Sequence, residues 1–98
     1  MKRIIIANTS NELSLKNIIK NAKSAALRDG YDQVIYKETD GTYAFKRLYK
    51  GCIQPWENVE VVGRIKEYYK LGIQHADYVP IEEDIEYEYW KELISWKE

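Results

Sequence analysis

The run Ile81-Glu82-Glu83-Asp84-Ile85-Glu86-Tyr87-Glu88-Tyr89-Trp90 decides how the rest of this chain is read. From Asp84 to Tyr89 acids alternate with apolar residues, the pattern of a strand with Ile85, Tyr87 and Tyr89 turned inward. Yet Ile81, Ile85, Tyr89, Leu93 and Trp96 also recur at helical spacing, and the acids after Pro80 with lysines near the end suit a helix dipole. The balance favours a helix over residues 82–96. A strand would line up Asp84, Glu86 and Glu88 in one row. A helix would group Glu82, Glu83 and Glu86 on one side and Asp84, Glu88 and Glu92 on another. It would also carry a second apolar stripe, Tyr87, Trp90 and Ile94, and a terminal helix of a small domain seldom buries two stripes. Either one stripe is an exposed patch, with Tyr87, Trp90 and Ile94 the candidates, or the helix is embedded between the sheet and the second helix.

Working outward, Lys2–Ala7 reads as a first strand because of its three consecutive β-branched isoleucines. Residues 8–11 read as a loop, with Thr9 or Ser14 as a helix cap. Leu15, Ile18, Ile19, Ala22, Ala25 and Ala26 then make one apolar stripe, and Gly30 is placed to end that helix. Tyr31–Glu38 and Thr42–Lys50 read as a hairpin about a two-residue Asp40-Gly41 turn. That turn sets Tyr36 opposite Phe45 and Val34 opposite Arg47, on one face with Glu38 and Tyr43. Ile35, Lys37, Ala44, Lys46 and Leu48 fall on the other. Pro55-Trp56-Glu57 resembles a helix start, Val61, Ile65, Tyr68 and Tyr69 repeat at helical spacing, and Leu71-Gly72 resembles a helix end. A strand over Val59–Val62 is the competing reading, and Ile73–Pro80 reads as a connection.

These elements make one α+β domain over residues 1–98: an antiparallel-rich sheet with helices on one face. The order is β-α-β-β-α followed by a helix or a strand. With a final strand it is the split βαβ, ferredoxin-like arrangement.

The chain has 98 residues and a net charge of −1, so no global field selects a partner. Its charge is nonetheless divided: residues 1–50 hold ten Lys and Arg against five acids, and residues 51–98 hold five against eleven. Nine Tyr and three Trp against one Phe favour half-buried and interface positions over a dry core. A lone cysteine, Cys52, leaves no intramolecular disulfide, and no segment reads as a signal peptide or membrane span. The expectation is a cytoplasmic protein.

No catalytic set is legible. Cys52 and His75 lie in no nucleophile signature, His75-Ala76-Asp77 has no companions for a metal site, and no glycine-rich phosphate loop occurs. Neither an enzyme, a metal nor a cofactor is expected. Two surfaces remain. Glu82, Glu83, Asp84, Glu86 and Glu88, with Tyr87 and Trp90 as anchors, would present a phosphate-like field to a basic protein, for instance a nucleic-acid-binding effector. Alternatively Lys16, Lys20, Lys23, Lys46 and Arg47, beside the hairpin rings, would bind RNA or DNA directly. Self-association is a further option. In general character the chain resembles small phage-encoded inhibitors, anti-CRISPR proteins among them: short, Tyr-rich, locally acidic and without a catalytic set. That resemblance rests on no motif or defined span, and implies an inhibitor that occludes a nucleic-acid-binding partner.

Overall fold

The first element is a helix, α1 (Lys2–Asp29), where a strand, a loop and a shorter helix were expected. The computed structural model describes the backbone of residues 2–54 and 56–95, and side chains from residue 14 onward. The isoleucine run therefore does not form a strand, and neither Thr9 nor Ser14 caps a helix. β-propensity is decided by what a strand can pair with. Extending an existing helix costs only a few tenths of a kcal/mol per isoleucine relative to alanine. The other end follows the expectation. Gly30 takes φ +76°, and its N–H donates to the Ala26 carbonyl at 2.8 Å, closing the helix with a left-handed residue.

Four strands follow: β1 (Gln33–Lys37), β2 (Tyr43–Arg47), β3 (Glu60–Lys70) and β4 (Ile73–Pro80). They form one antiparallel sheet in the order β2-β1-β3-β4. A 3₁₀ turn (Ile81–Glu83) and a second helix, α2 (Tyr87–Ile94), complete the described chain. The α+β class holds. The element order is α-β-β-β-β-α and not the expected one, since β3 and β4 replace a helix and a connection. The periodicity of Val61, Ile65 and Tyr68 was misleading because β-branched and aromatic residues fit a pleated surface equally well. Leu71-Gly72 is the turn of the β3–β4 hairpin and not a helix end: φ is +55° and +78°, as a type I′ turn requires. Pro55, the proposed helix start, lies outside the described residues.

The β1–β2 hairpin forms one residue out of the expected register. Val34 pairs with Lys46, Ile35 with Phe45 and Tyr36 with Ala44. The loop has one more residue than a type I′ turn allows. Gly41 N–H donates to the Glu38 carbonyl at 2.9 Å, and Glu38 N–H to the Thr42 carbonyl at 2.8 Å. Only Gly41 has positive φ, +89°, which makes it a bulge residue after an ordinary turn. Asp40 stabilises this form, its carboxylate accepting the Thr42 amide and hydroxyl at 3.0 and 2.7 Å. The slip moves the cross-strand partners to the opposite face.

Val34, Tyr36, Ala44 and Leu48 pack on one side of the sheet, with Cys52, Ile53, Trp90 and Ile94. Ile35, Phe45, Ile65, Ala76 and Tyr78 pack on the other, against Leu15, Ile18, Ile19, Ala22 and Ala26 of α1. The helices therefore cover opposite faces of the sheet, not one. A bulge in β3 serves both layers: Ile35 pairs with Gly63 and Tyr36 with Val61, leaving Val62 extra. Val61 joins the α2 side and Val62 the α1 side. Gly63 is fixed by Tyr78, because a Cβ there would lie 2.5 Å from Tyr78 Cε1. No described helix is long and apolar enough to cross a membrane.

Candidate binding surface

Asp84 and Glu86 are tied to the sheet by one buried arginine. Arg64 of β3 stands on the α2 side, its side chain 7% exposed. Its Nη2 donates to Asp84 Oδ1 at 3.1 Å and to Glu86 Oε1 at 2.8 Å, and its Nη1 to Asp32 Oδ2 at 3.0 Å. Nε lies 3.0 Å from Asp84 Oδ2 but out of line for a hydrogen bond, an attraction without a directed donor. Asp84 also accepts Trp90 Nε1–H at 3.1 Å and the Glu86 amide at 3.0 Å. The guanidinium sits 5.7 Å from the Trp90 ring centroid. A buried carboxylate is tolerable only when its lone pairs are satisfied, and here they are.

The charges bear on one another. Burial works to lower the Arg64 pKa, but its hydrogen bond to Glu86 and the Asp84 and Asp32 charges outweigh it and raise it. The same hydrogen bond from Arg64 holds the Glu86 carboxyl below its ordinary value, aided by the Arg64 and Lys66 charges. Lys66 Nζ is 3.7 Å from Glu86.

This network sorts the expected contact residues. Asp84 and Trp90 are buried, 8% and 2% exposed, and belong to the scaffold. Tyr87 is half-buried, edge-on to Trp90 with centroids 4.9 Å apart. The stripe expected to be exposed, Tyr87, Trp90 and Ile94, is thus the one that packs on the sheet, and the run is neither a strand nor a continuous helix from residue 82. Trp96 lies outside the described residues. Glu82, Glu83, Glu86 and Glu88 are exposed, as is Glu92. Within the run the exposed apolar residues are instead Ile85 and Tyr89, 97% and 85% exposed. Glu88 is paired with Lys91 at 2.8 Å, and Glu86 with Arg64 and Lys66. Glu82, Glu83 and Glu92 make no ion pair among the described residues, so the unneutralised charge surrounds Ile85 and Tyr89 in sequence. Their spacing of four was the signal available for this pair, read there as a buried stripe.

The basic candidates do not form one patch. Lys16 and Lys20 are exposed and Lys23 half-buried along one flank of α1. Lys46 faces the α2 side, donating to the Cys52 carbonyl at 3.0 Å and Glu57 Oε1 at 3.2 Å. The register slip put it there. Arg47 is on the α1 side, 3.3 Å from Asp29 and 4.9 Å from the Tyr31 centroid. Beside it, Arg28, Tyr31, Tyr49 and Phe45 border a shallow cleft of about 540 Å³. Arg28 lies ~100° around α1 from the Lys16/Lys20/Lys23 flank, since each residue turns the helix by ~100°.

Cys52 is 2% exposed, and burial pushes its thiol pKa up. His75 stacks on Tyr68 in the β3–β4 hairpin, centroids 5.2 Å apart. The Tyr68 hydroxyl donates to Asp77, a bond that raises its pKa. Compared with family models, curated proteins and solved structures, the chain matches none of them.

Proposed function

We propose that the protein is a non-enzymatic binding domain whose acidic C-terminal surface occupies a basic partner. The partner's chemistry is that of a nucleic-acid-binding protein, its Arg and Lys side chains meeting carboxylates in place of phosphates. Occlusion of such a groove is the strategy of small phage-encoded inhibitors, anti-CRISPR proteins among them. One observation carries the reading. Two large apolar side chains, Ile85 and Tyr89, stand almost fully in water within an acidic segment that a buried ion-pair network fixes to the sheet. Exposed apolar anchors flanked in sequence by charge suit a contact surface, with a desolvating centre and a steering rim. Glu82, Glu83, Glu88 and Glu92 supply the rim, and Ile85 and Tyr89 take the anchoring role.

Affinity capture from host extract with the wild-type domain, and with two variants, tests this. Glu82→Lys/Glu83→Lys/Glu88→Lys/Glu92→Lys removes the field, and Ile85→Ser/Tyr89→Ser removes the anchors. Both should release a basic protein that the wild type retains, and nucleic acid should compete for it. Retention by both variants would leave the run as a solvated face.

The rival reading, direct RNA or DNA binding through Lys16, Lys20, Lys23, Lys46 and Arg47, has one observation in its favour. The cleft beside Arg28 and Arg47 offers exposed Tyr31 and Tyr49 rings next to guanidinium groups. Against it, Lys46 points to the opposite face, and Arg28 and Arg47 share the Asp29 carboxylate. A titration with single-stranded nucleic acid at two salt concentrations separates the two readings.

A further inference from the structure

The two edges of the sheet are not alike. β2 is five residues long and carries Lys46 and Arg47, the short and charged kind of edge that resists further pairing. β4 runs eight residues with Asp77 as its one formal charge and proline only at its end. It has β3 on one side and, among the described residues, no strand on the other. Its outward backbone groups follow from the hairpin. The two-residue type I′ turn makes Lys70 and Ile73 a hydrogen-bonded pair, so Ile73, His75, Asp77 and Val79 direct their N–H and C=O groups to β3. Gln74, Ala76 and Tyr78 direct theirs to the open edge, and among the described residues nothing accepts or donates there.

We propose that β4 pairs antiparallel with β4 of a second copy of this chain, about a two-fold axis through Ala76. The identity of the partner follows from the self-complementarity of the strand in that register. Ala76 meets Ala76 of the second copy, and Gln74 meets Tyr78, each pair exchanging backbone N–H···O=C bonds. On the α2 side, His75 of each copy faces Asp77 of the other, and Ile73 faces Val79. These are the closely approaching, non-hydrogen-bonded positions, where side-chain pairs interact most strongly. Ile73, 62% exposed in the single chain, gains an apolar neighbour. Sliding one pair in either direction sets Asp77 against Asp77 or His75 against His75. The strand therefore favours this register, the one that sets each imidazole beside a carboxylate instead of like beside like, as a self-pairing edge must. The axis is normal to the sheet, so the doubled sheet carries both α2 helices on one face. The inference stands without the reading of the acidic surface.

Sedimentation equilibrium of the whole chain tests it. The expected result is a reversible rise from 11.6 kDa towards about twice that mass as concentration increases. Ala76→Pro removes an outward N–H that the monomer does not use, and should hold the chain at monomer mass with an unchanged far-UV circular dichroism spectrum. His75→Asp sets carboxylates against Asp77 across both symmetric contacts and should weaken association by about tenfold. Adding Asp77→His to His75→Asp restores a histidine beside each carboxylate and should recover it. A wild-type chain that stays monomeric up to about 1 mM, the weak end of specific association, overturns the proposal. So does a dimer that persists in folded Ala76→Pro. If Ala76→Pro fails to fold, the charge exchange decides: an exchange that recovers no association refutes the pairing.

Discussion

Removing the Arg64 side chain tests the network that fixes the acidic segment. In Arg64→Ala, Asp84 stays buried with a side chain 1% exposed and loses its only guanidinium partner among the described residues. Breaking a buried pair from one side costs about 3–5 kcal/mol. Asp84 keeps the Trp90 indole and Glu86 amide donors, which places the expected loss at the lower end, about 3 kcal/mol. Asp84→Ala should cost less, about 2 kcal/mol, because Arg64 retains Asp32 and Glu86. The two residues act as one unit, so the double variant should fall short of the sum by at least ~1.5 kcal/mol. Urea unfolding followed by far-UV circular dichroism reads all three, with midpoint shifts at constant slope giving the differences. A loss under ~1 kcal/mol for Arg64→Ala, or additivity within ~0.5 kcal/mol, would refute the reasoning. Either result would mean that apolar packing and the backbone bonds from Gly51 and Ile53 to the end of α2 hold residues 81–94 without the network.

Three further outcomes follow from particular contacts. Gly63→Ala drives a methyl into the Tyr78 ring, against which Gly63 packs, and should destabilise the domain by about 2 kcal/mol in the same assay. Unchanged stability would mean that Tyr78 swings clear. The Glu86 and Glu57 carboxyls are held below their ordinary 4.5, Glu86 chiefly by the Arg64 hydrogen bond and Glu57 chiefly by the Gln54 amide. Groups whose pKa is lower folded than unfolded stabilise the fold above the unfolded value and lose that contribution as pH falls through the folded one. Thermal midpoints should therefore be level above pH 5 and fall below about 4.5; a profile flat to pH 3 contradicts this. Cys52, buried with a raised thiol pKa, should react with a disulfide reagent at pH 8 far more slowly in the native chain than in urea, a difference of at least ~10²-fold.

Legibility in the sequence tracked the reach of the interactions. The C-terminal half of α1, its stop at Gly30 and the pairing of β1 with β2 are local, and spacing with turn chemistry revealed them. The first turn of the chain was opaque because Ile4, Ile5 and Ile6 carry β-propensity that only a pairing partner can use. β3 and β4 were opaque for the converse reason. Their rings and β-branched residues fit two periods, and Leu71 at φ +55° is a conformation that leucine rarely signals. Register hung on one residue, Thr42, whose bonds to Asp40 favour the longer loop and so send Lys46 to the α2 side. In the acidic run, composition was legible and orientation was not. The partner that buries Asp84 is Arg64, twenty residues earlier and read at first as part of a helix. Once Asp84 and Trp90 face inward, Ile85 and Tyr89 face out.

The proposed binding role requires that this segment be displayed to a partner through its acids and its two exposed apolar residues. Its most direct measurement compares capture of a basic host protein by the wild-type domain and by Ile85→Ser/Tyr89→Ser. Both positions are exposed, so the variant should match the wild type in urea midpoint to within ~0.5 kcal/mol. Capture should then fall by at least ~10²-fold, the loss of two anchoring side chains. Equal capture by two equally stable proteins would contradict it.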